Sequence, residues 1–167
     1  MFVNLKPERR ASSVYTIDFS KEYAAGVRGL ILDIDNTLVP QDAPADARSE
    51  KLIRALQEQG FRICLISNNG LQRVKSFADA VGAEFYVEHA HKPLRKAYYR
   101  ALQVLSTDRE HTLFIGDQLF TDVWGARRAG VRHVLVDPID LRSDTVPIRI
   151  KRFCEKPFLR QNSAEMK

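Results

Sequence analysis

Long hydrophobic runs are missing from this chain. No apolar stretch approaches the ~20 residues that a helix needs to cross a bilayer, so no membrane-spanning helix is expected. The opening segment, Met1 to Arg10, has no apolar core of the secretory kind. Cysteine is scarce as well. The two present, Cys64 and Cys154, stand far apart, which excludes a disulfide scaffold and a zinc-spacing motif. Cys64 lies inside the apolar run Ile63-Cys64-Leu65-Ile66 and reads as a buried thiol. Internal repeats, low-complexity tracts, GxGxxG and Walker patterns are all absent. A cytoplasmic protein is the expectation, with peripheral contact at the inner face of the membrane left open by the charge distribution.

What is present is an ordinary globular composition with an uneven basic excess. A length of 167 residues with 44% hydrophobic content suits one domain with a real core. The net charge of +5 gathers at the ends. Lys6, Arg9 and Arg10 open the chain, and after Leu141 come Arg142, Arg149, Lys151, Arg152, Lys156, Arg160 and Lys167 against Asp144, Glu155 and Glu165. Such ends either are solvated or meet an anionic partner, a lipid surface or a nucleic acid. The tail has few interleaved aromatics for stacking on single strands, which disfavours nucleic acid.

Along the chain, strands and helices alternate. Strands are predicted at about Gly29 to Ile34, Arg62 to Ser67, Ala83 to Val87, Thr112 to Ile115 and Val131 to Val136. Helices are predicted at about Asp46 to Gln59, Leu71 to Val81, Leu94 to Leu105 and Leu119 to Ala129, with Gly60, Gly82 and Gly130 as stops. This order implies right-handed crossovers and a parallel sheet of about five strands, an α/β fold. The expected division is a single catalytic domain over 1–140, its core about 27–137, and a basic appendage over 141–167.

Polar motifs sit at the predicted strand ends. After Leu30-Ile31-Leu32 comes Asp33-Ile34-Asp35-Asn36-Thr37, two carboxylates that are costly to hold together without a cation. In open α/β sheets that end is where ligands bind. Asp33 and Asp35 therefore suggest a metal-assisted site with one carboxylate free as a nucleophile. The second strand ends in Ser67-Asn68-Asn69, a hydroxyl and backbone N–H groups suited to phosphate oxygens. Lys92, beside Pro93, offers charge to a phosphoryl transition state. The fourth strand ends in Gly116-Asp117 with Asp122 five residues on, a hard oxygen ligand for Mg²⁺ and a carboxylate to orient it. His89 and His91 lack further zinc-spaced ligands and read as loop histidines near the pocket. Phe114, Phe120 and Trp124 read as core.

The order DxDxT, Ser, Lys, GDxxxxD resembles the haloacid dehalogenase (HAD) superfamily over about Gly29 to Asp137. The resemblance implies a Rossmann-like, three-layer fold and a Mg²⁺-dependent phosphatase acting on a phosphorylated substrate. By position, Asp33 matches the nucleophile that becomes an aspartyl-phosphate, and Asp35 the general acid/base. Asp33, Asp117 and the backbone carbonyl of Asp35 match the metal ligands. Ser67, Asn68 and Lys92 fall at phosphate-binding positions, and Thr37 and Asp122 at supporting ones. Neither interval between motifs has room for a cap domain, which places the chain with the capless subclass IIIA and its YqeG-type branch. That branch includes relatives implicated in converting phosphatidylglycerophosphate to phosphatidylglycerol, so a membrane phospholipid is one expected substrate. The alternatives are a soluble sugar-phosphate or a nucleic-acid end, with a homo-oligomer partner closing the open pocket, and a non-catalytic binding module.

Overall fold

The computed structural model describes residues 5–164, with 160–164 given by backbone alone. Of the basic-tail residues, the Arg160 side chain, Glu165 and Lys167 lie outside the described residues.

The centre of the molecule is a strand that is apolar on both faces. β2 (Gly29–Leu32) is buried along its whole length, as a strand covered by helices on both sides must be. It pairs in parallel with β3 (Arg62–Ile66) on one side and β5 (Thr112–Gly116) on the other. β4 (Phe85–Val87) extends the sheet beyond β3, and β6 (Arg132–Val136) extends it beyond β5. A sixth strand, β1 (Arg9–Ala11), pairs in parallel with β6, giving the order β1-β6-β5-β2-β3-β4. The sheet thus has six strands where five were expected. The additional one has three mostly exposed residues, two of them arginines. It lacks the apolar run that marks a strand, and its pairing with β6 defines it.

Side chains alternate between two helical layers with the period of a pleated strand. Leu30, Leu32, Ile63, Leu65, Leu113 and Ile115 face α2 (Ala47–Glu58) and α3 (Leu71–Val81), meeting Ile53, Leu56, Val74 and Phe77. Ile31, Cys64, Ile66 and Phe114 face α4 (Arg95–Leu105) and α5 (Trp124–Ala129), meeting Tyr98, Ala101, Leu105 and Ala126. A short α1 (Phe19–Ala24) adds Phe19 to the first layer. Asp46 and Ser49 form a reciprocal capping box at the start of α2. Gly82 and Gly130 close α3 and α5 in the left-handed conformation.

Two segments differ from a simple helical reading. The stretch expected as one helix from Leu119 opens with a wide π-turn, Leu119–Val123, before α5 begins. After β6, a 3₁₀ turn (Leu141–Ser143) leads into α6 (Val146–Ala164), which packs against the π-turn. Phe158 of α6 meets Phe120 edge-on, and Leu159 joins Trp124 around Leu119, Val123 and Leu135. Among the described residues, no helix is long and apolar enough to cross a membrane.

Candidate active site

The strand order reverses beside β2, since the chain proceeds outward through β3 and β4 and returns to β5 on the other flank. A crevice opens at the C-terminal edge of the sheet at such a switch point. Asp33 follows β2 there, Ser67 follows β3, and Asp117 follows β5. Asp33 and Ser67, with Asp35, Asn68, Asn69 and Lys92, line one cleft of about 120 Å³; Asp117 is not in that lining but brings a carboxylate oxygen within 4.8 Å of one of Asp33. That volume is below the roughly 300–1,000 Å³ of pockets that enclose a small-molecule ligand. The cleft therefore admits the end of a ligand rather than the whole of one.

Lys92 lies at the centre of the buried charge. Its Nζ donates to Asp33 Oδ1 at 2.6 Å and to Asp122 Oδ1 at 2.7 Å, with all three side chains nearly sealed from water. The Lys92–Pro93 peptide is cis. Asn68 Oδ1 accepts from the Lys92 backbone N–H at 2.7 Å, tying the Lys92 loop to the end of β3. Burial works to lower the Lys92 pKa, but Asp122 and Asp33 outweigh it and raise it above the usual lysine range. Burial pushes the Asp33 carboxyl well up; Lys92 opposes this, and Asp122 and Asp117 add to it. Burial and the Asp122 charge push Asp117 up to about 6, against the pull of Arg152.

Asp122 is fully committed. Its Oδ2 accepts from the backbone N–H of Asp117 at 3.1 Å and of Gln118 at 3.0 Å, while Oδ1 takes Lys92. The π-turn brings it back over Gly116, where an added Cβ would lie 2.5 Å from Asp122 Oδ2. A side chain at 116 would therefore occupy the space of that carboxylate. Tyr98 closes the network from α4, donating to the backbone carbonyls of Thr121 and Asp122 at 3.2 Å each.

Asp35, in the same cleft, is held by other partners. Its Oδ1 accepts from the Asp42 backbone N–H at 2.8 Å and from Arg73 at 3.0 Å, and its Oδ2 from Asn69 Nδ2 at 2.7 Å. Ser67 Oγ accepts from the Asn69 N–H at 3.1 Å, which leaves its own O–H free to donate into the cleft. Thr37 Oγ1 lies 3.4 Å from Asp117 Oδ1. His89 and His91 are exposed and stack with ring centroids 6.3 Å apart, outside the cleft lining.

Sequence reasoning missed several participants. Arg73, in the first turn of α3, pairs with Asp35. Asn36 takes the left-handed conformation (φ 57°), which asparagine tolerates, and donates to Asp144 Oδ1 at 2.6 Å. From α6, Arg152 reaches Asp117 and Asp144, and Glu155 accepts from the Phe120 N–H at 2.8 Å. The only sequence signal for Arg152 was its basic tail, where seven cations look alike.

Asp33, Asp117 and Asp122 each bring an oxygen within 4.8 Å of the others. With Asp144 they make four buried carboxylates facing two cations, Lys92 and Arg152, so two formal negative charges remain. A divalent cation bound by hard oxygen donors fits that remainder.

The profile of haloacid dehalogenase-like hydrolases matches residues 41–130. Probable phosphatase YqeG of Bacillus subtilis is 36% identical over 154 residues, 92% of this chain and 88% of that protein. The chain belongs to the haloacid dehalogenase-like hydrolases. It is a phosphoric monoester hydrolase of that family, and its members use a divalent metal. A Glyceraldehyde 3-phosphate phosphatase of Pyrococcus abyssi is 27% identical over 96 residues, covering 52% of this chain and 40% of the relative. Among solved structures, the cobalt-bound deoxy-D-mannose-octulosonate 8-phosphate phosphatase of Haemophilus influenzae has the same fold. Its TM-score is 0.55 at 16% identity, over 68% of this chain and 80% of that one. In this HAD hydrolase β2 and β3 are joined through α2 alone, and β3 and β4 through α3 alone, so neither connection carries a cap domain.

Proposed function

We propose that this hydrolase is a Mg²⁺-dependent phosphatase that works through an aspartyl-phosphate on Asp33 and acts on a membrane phospholipid phosphate, phosphatidylglycerophosphate. The observation carrying the substrate reading is the mouth of the cleft. Ile148 and Lys151 of α6 line it. On the same helix Val146, Ile150 and Phe153 are 60–71% exposed at i, i+4, i+7 spacing. Arg142, Arg149, Lys151 and Lys156, all exposed, neighbour that stripe along the chain, and Lys156 Nζ lies 5.6 Å from the Phe153 ring. An apolar stripe edged by cations suits an anionic bilayer surface, to which each basic residue adds about 1 kcal/mol. A shallow cleft without a cap admits a headgroup phosphate while the acyl chains stay in the bilayer.

Asp33, Asp117 and the Asp35 carbonyl would hold the ion, while Asp122, with both oxygens already engaged, orients Lys92 and the 116–118 turn. Bound there, the ion neutralises charge between a carboxylate nucleophile and phosphoryl oxygens. The remaining roles belong to the chain. An Asp33 carboxylate oxygen attacks phosphorus as the ester P–O bond breaks, and the leaving alkoxide takes a proton from Asp35. Asp35 then removes a proton from the water that cleaves the acyl-phosphate, releasing inorganic phosphate and restoring Asp33. Asn69, Arg73 and the Asp42 N–H hold the Asp35 carboxyl in place for both transfers. Lys92 and the Ser67 hydroxyl receive the phosphoryl oxygens.

The test is phosphate release from phosphatidylglycerophosphate in mixed micelles with Mg²⁺, beside a soluble aryl phosphate, glyceraldehyde 3-phosphate and an Asp33→Asn control. Asp33-dependent release from the lipid well above the soluble esters is expected. Turnover of the soluble esters alone would keep the mechanism and replace the lipid with a soluble metabolite, the substrate type named for the Pyrococcus relative.

A further inference from the structure

The guanidinium of Arg152 reaches the site from the far end of the chain and spans two carboxylates. Its Nη2 donates to Asp117 Oδ2 at 2.5 Å, and its Nη1 lies 3.3 Å from the Asp117 carbonyl oxygen. Its Nε donates to Asp144 Oδ2 at 2.5 Å, and Nη2 also approaches Asp144 Oδ1 at 3.3 Å. Asp144 in turn accepts from Asn36, the residue following Asp35. Asn36 also fixes the segment leading to Asp144, because its Oδ1 accepts from the Asp140 N–H at 2.9 Å and its carbonyl from the Ile139 N–H at 3.2 Å. The first motif loop, the 139–144 segment, α6 and the end of β5 are thereby joined in one run of hydrogen bonds.

The two oxygens of Asp117 are held unequally. Oδ2 has the short, charge-assisted bond from Arg152, while among the described residues Oδ1 has only the long contact from Thr37 at 3.4 Å. A carboxylate gripped by one oxygen presents the other in a fixed direction. The positive charge that grips it is offset by Asp144, so it does not drive a cation away.

We propose that Arg152, braced by Asp144, is a positioning residue that orients the Asp117 carboxylate for metal binding, so that α6 completes the metal site. This rests on the reading of Asp117 as a metal ligand given above. Partners that hydrogen-bond a ligating carboxylate typically contribute 10- to 100-fold in metal affinity or activity. The opposite behaviour, Arg152 as a plug that competes with the ion for Asp117, predicts the opposite sign.

The experiment is isothermal titration of the full-length, chelator-treated protein with MgCl₂, for wild type, Arg152→Met, Arg152→Lys and Asp117→Asn. Melting temperatures in EDTA are recorded alongside. Arg152→Met is expected to raise the Mg²⁺ Kd by about 10- to 100-fold, with turnover recovering as Mg²⁺ is raised. Arg152→Lys is expected to fall between, since an ammonium keeps the charge without the planar fork that spans both carboxylates. If Arg152→Met does not fold, the Lys variant decides by the same criterion. Mg²⁺ binding that is unchanged or tighter in the Arg152 variants, with Asp117→Asn binding weakly, overturns the positioning role and leaves the metal reading standing. Wild-type Mg²⁺ binding by Asp117→Asn removes the metal reading itself and the positioning role with it.

Discussion

Replacing Glu155 by glutamine should make the metal-free protein more stable at pH 8 and leave it unchanged at pH 4.5. Glu155 is 2% exposed, and its Oε1 accepts from the Phe120 N–H at the start of the π-turn. Burial pushes its carboxyl from 4.5 up to about 7; the Phe120 N–H and Arg152 pull the other way. The folded chain therefore holds this proton more tightly than the unfolded chain does. The resulting stabilisation is fully present below 4.5 and is lost as the pH rises through about 7. At about 1.4 kcal/mol per pH unit, the loss is on the order of 3 kcal/mol. Glutamine keeps an oxygen for the Phe120 N–H and never ionises, so the variant escapes that loss. At roughly 2–4 °C per kcal/mol for a chain of this size, the gain at pH 8 is several degrees or more. Urea unfolding in EDTA at pH 4.5, 6 and 8, followed by the fluorescence of the single tryptophan, Trp124, reads it directly. That ring packs on the same cluster, Leu119, Val123 and Leu135, as Leu159 of α6. A glutamine variant that is less stable than wild type at pH 8, or whose difference from it does not vary with pH, would refute the reasoning.

Gly116→Ala places a methyl group 2.5 Å from Asp122 Oδ2, so the carboxylate must move off two backbone N–H groups and Lys92. A loss of about 2–5 kcal/mol in urea unfolding is expected, from overpacking and unpaired buried groups. Lys92→Met leaves Asp33 and Asp122 buried without their cation, at a cost of about 3–5 kcal/mol at pH 7. The deficit should shrink as the pH is lowered, because burial raises the Asp33 carboxyl and a protonated Asp33 needs no cation; parallel denaturation curves at pH 7 and 5 check it. Asn69→Ala frees Asp35 Oδ2 and should lower kcat about 10- to 100-fold through misplacement, with the Mg²⁺ Kd unchanged by titration.

The central fold was legible because its strands are apolar on both faces and α2, α3 and α5 stop at Gly60, Gly82 and Gly130. The motifs that meet at the cleft were legible because Asp33, Ser67 and Asp117 directly follow strands, where position along the chain nearly determines position in space, and Lys92 lies in the loop between β4 and α4. What escaped depends on long-range pairing. β1 has no strand-like pattern of its own and exists through β6. α6 contains Pro157, which argues against a helix when read locally, and its packing through Leu159, Glu155 and Arg152 outweighs that cost. Arg152 and Arg73 are ordinary surface-type residues in sequence, and only the fold brings each to a carboxylate. Asn36 was hidden differently: it lay inside the motif, but its partner Asp144 is 108 positions away.

The two outermost strands, β1 and β4, are three residues each. A sheet edge offers unpaired N–H and C=O groups to any other extended chain, and short or charged edges deny them a template. β1 presents two arginines there. Without residues 5–12, the edge would pass to β6, five residues long and carrying Val134, Leu135 and Val136. That strand resembles the segments that seed intermolecular sheets. The small N-terminal strand covers that longer apolar edge with a short, arginine-bearing one, a use for the opening basic segment in the sheet itself.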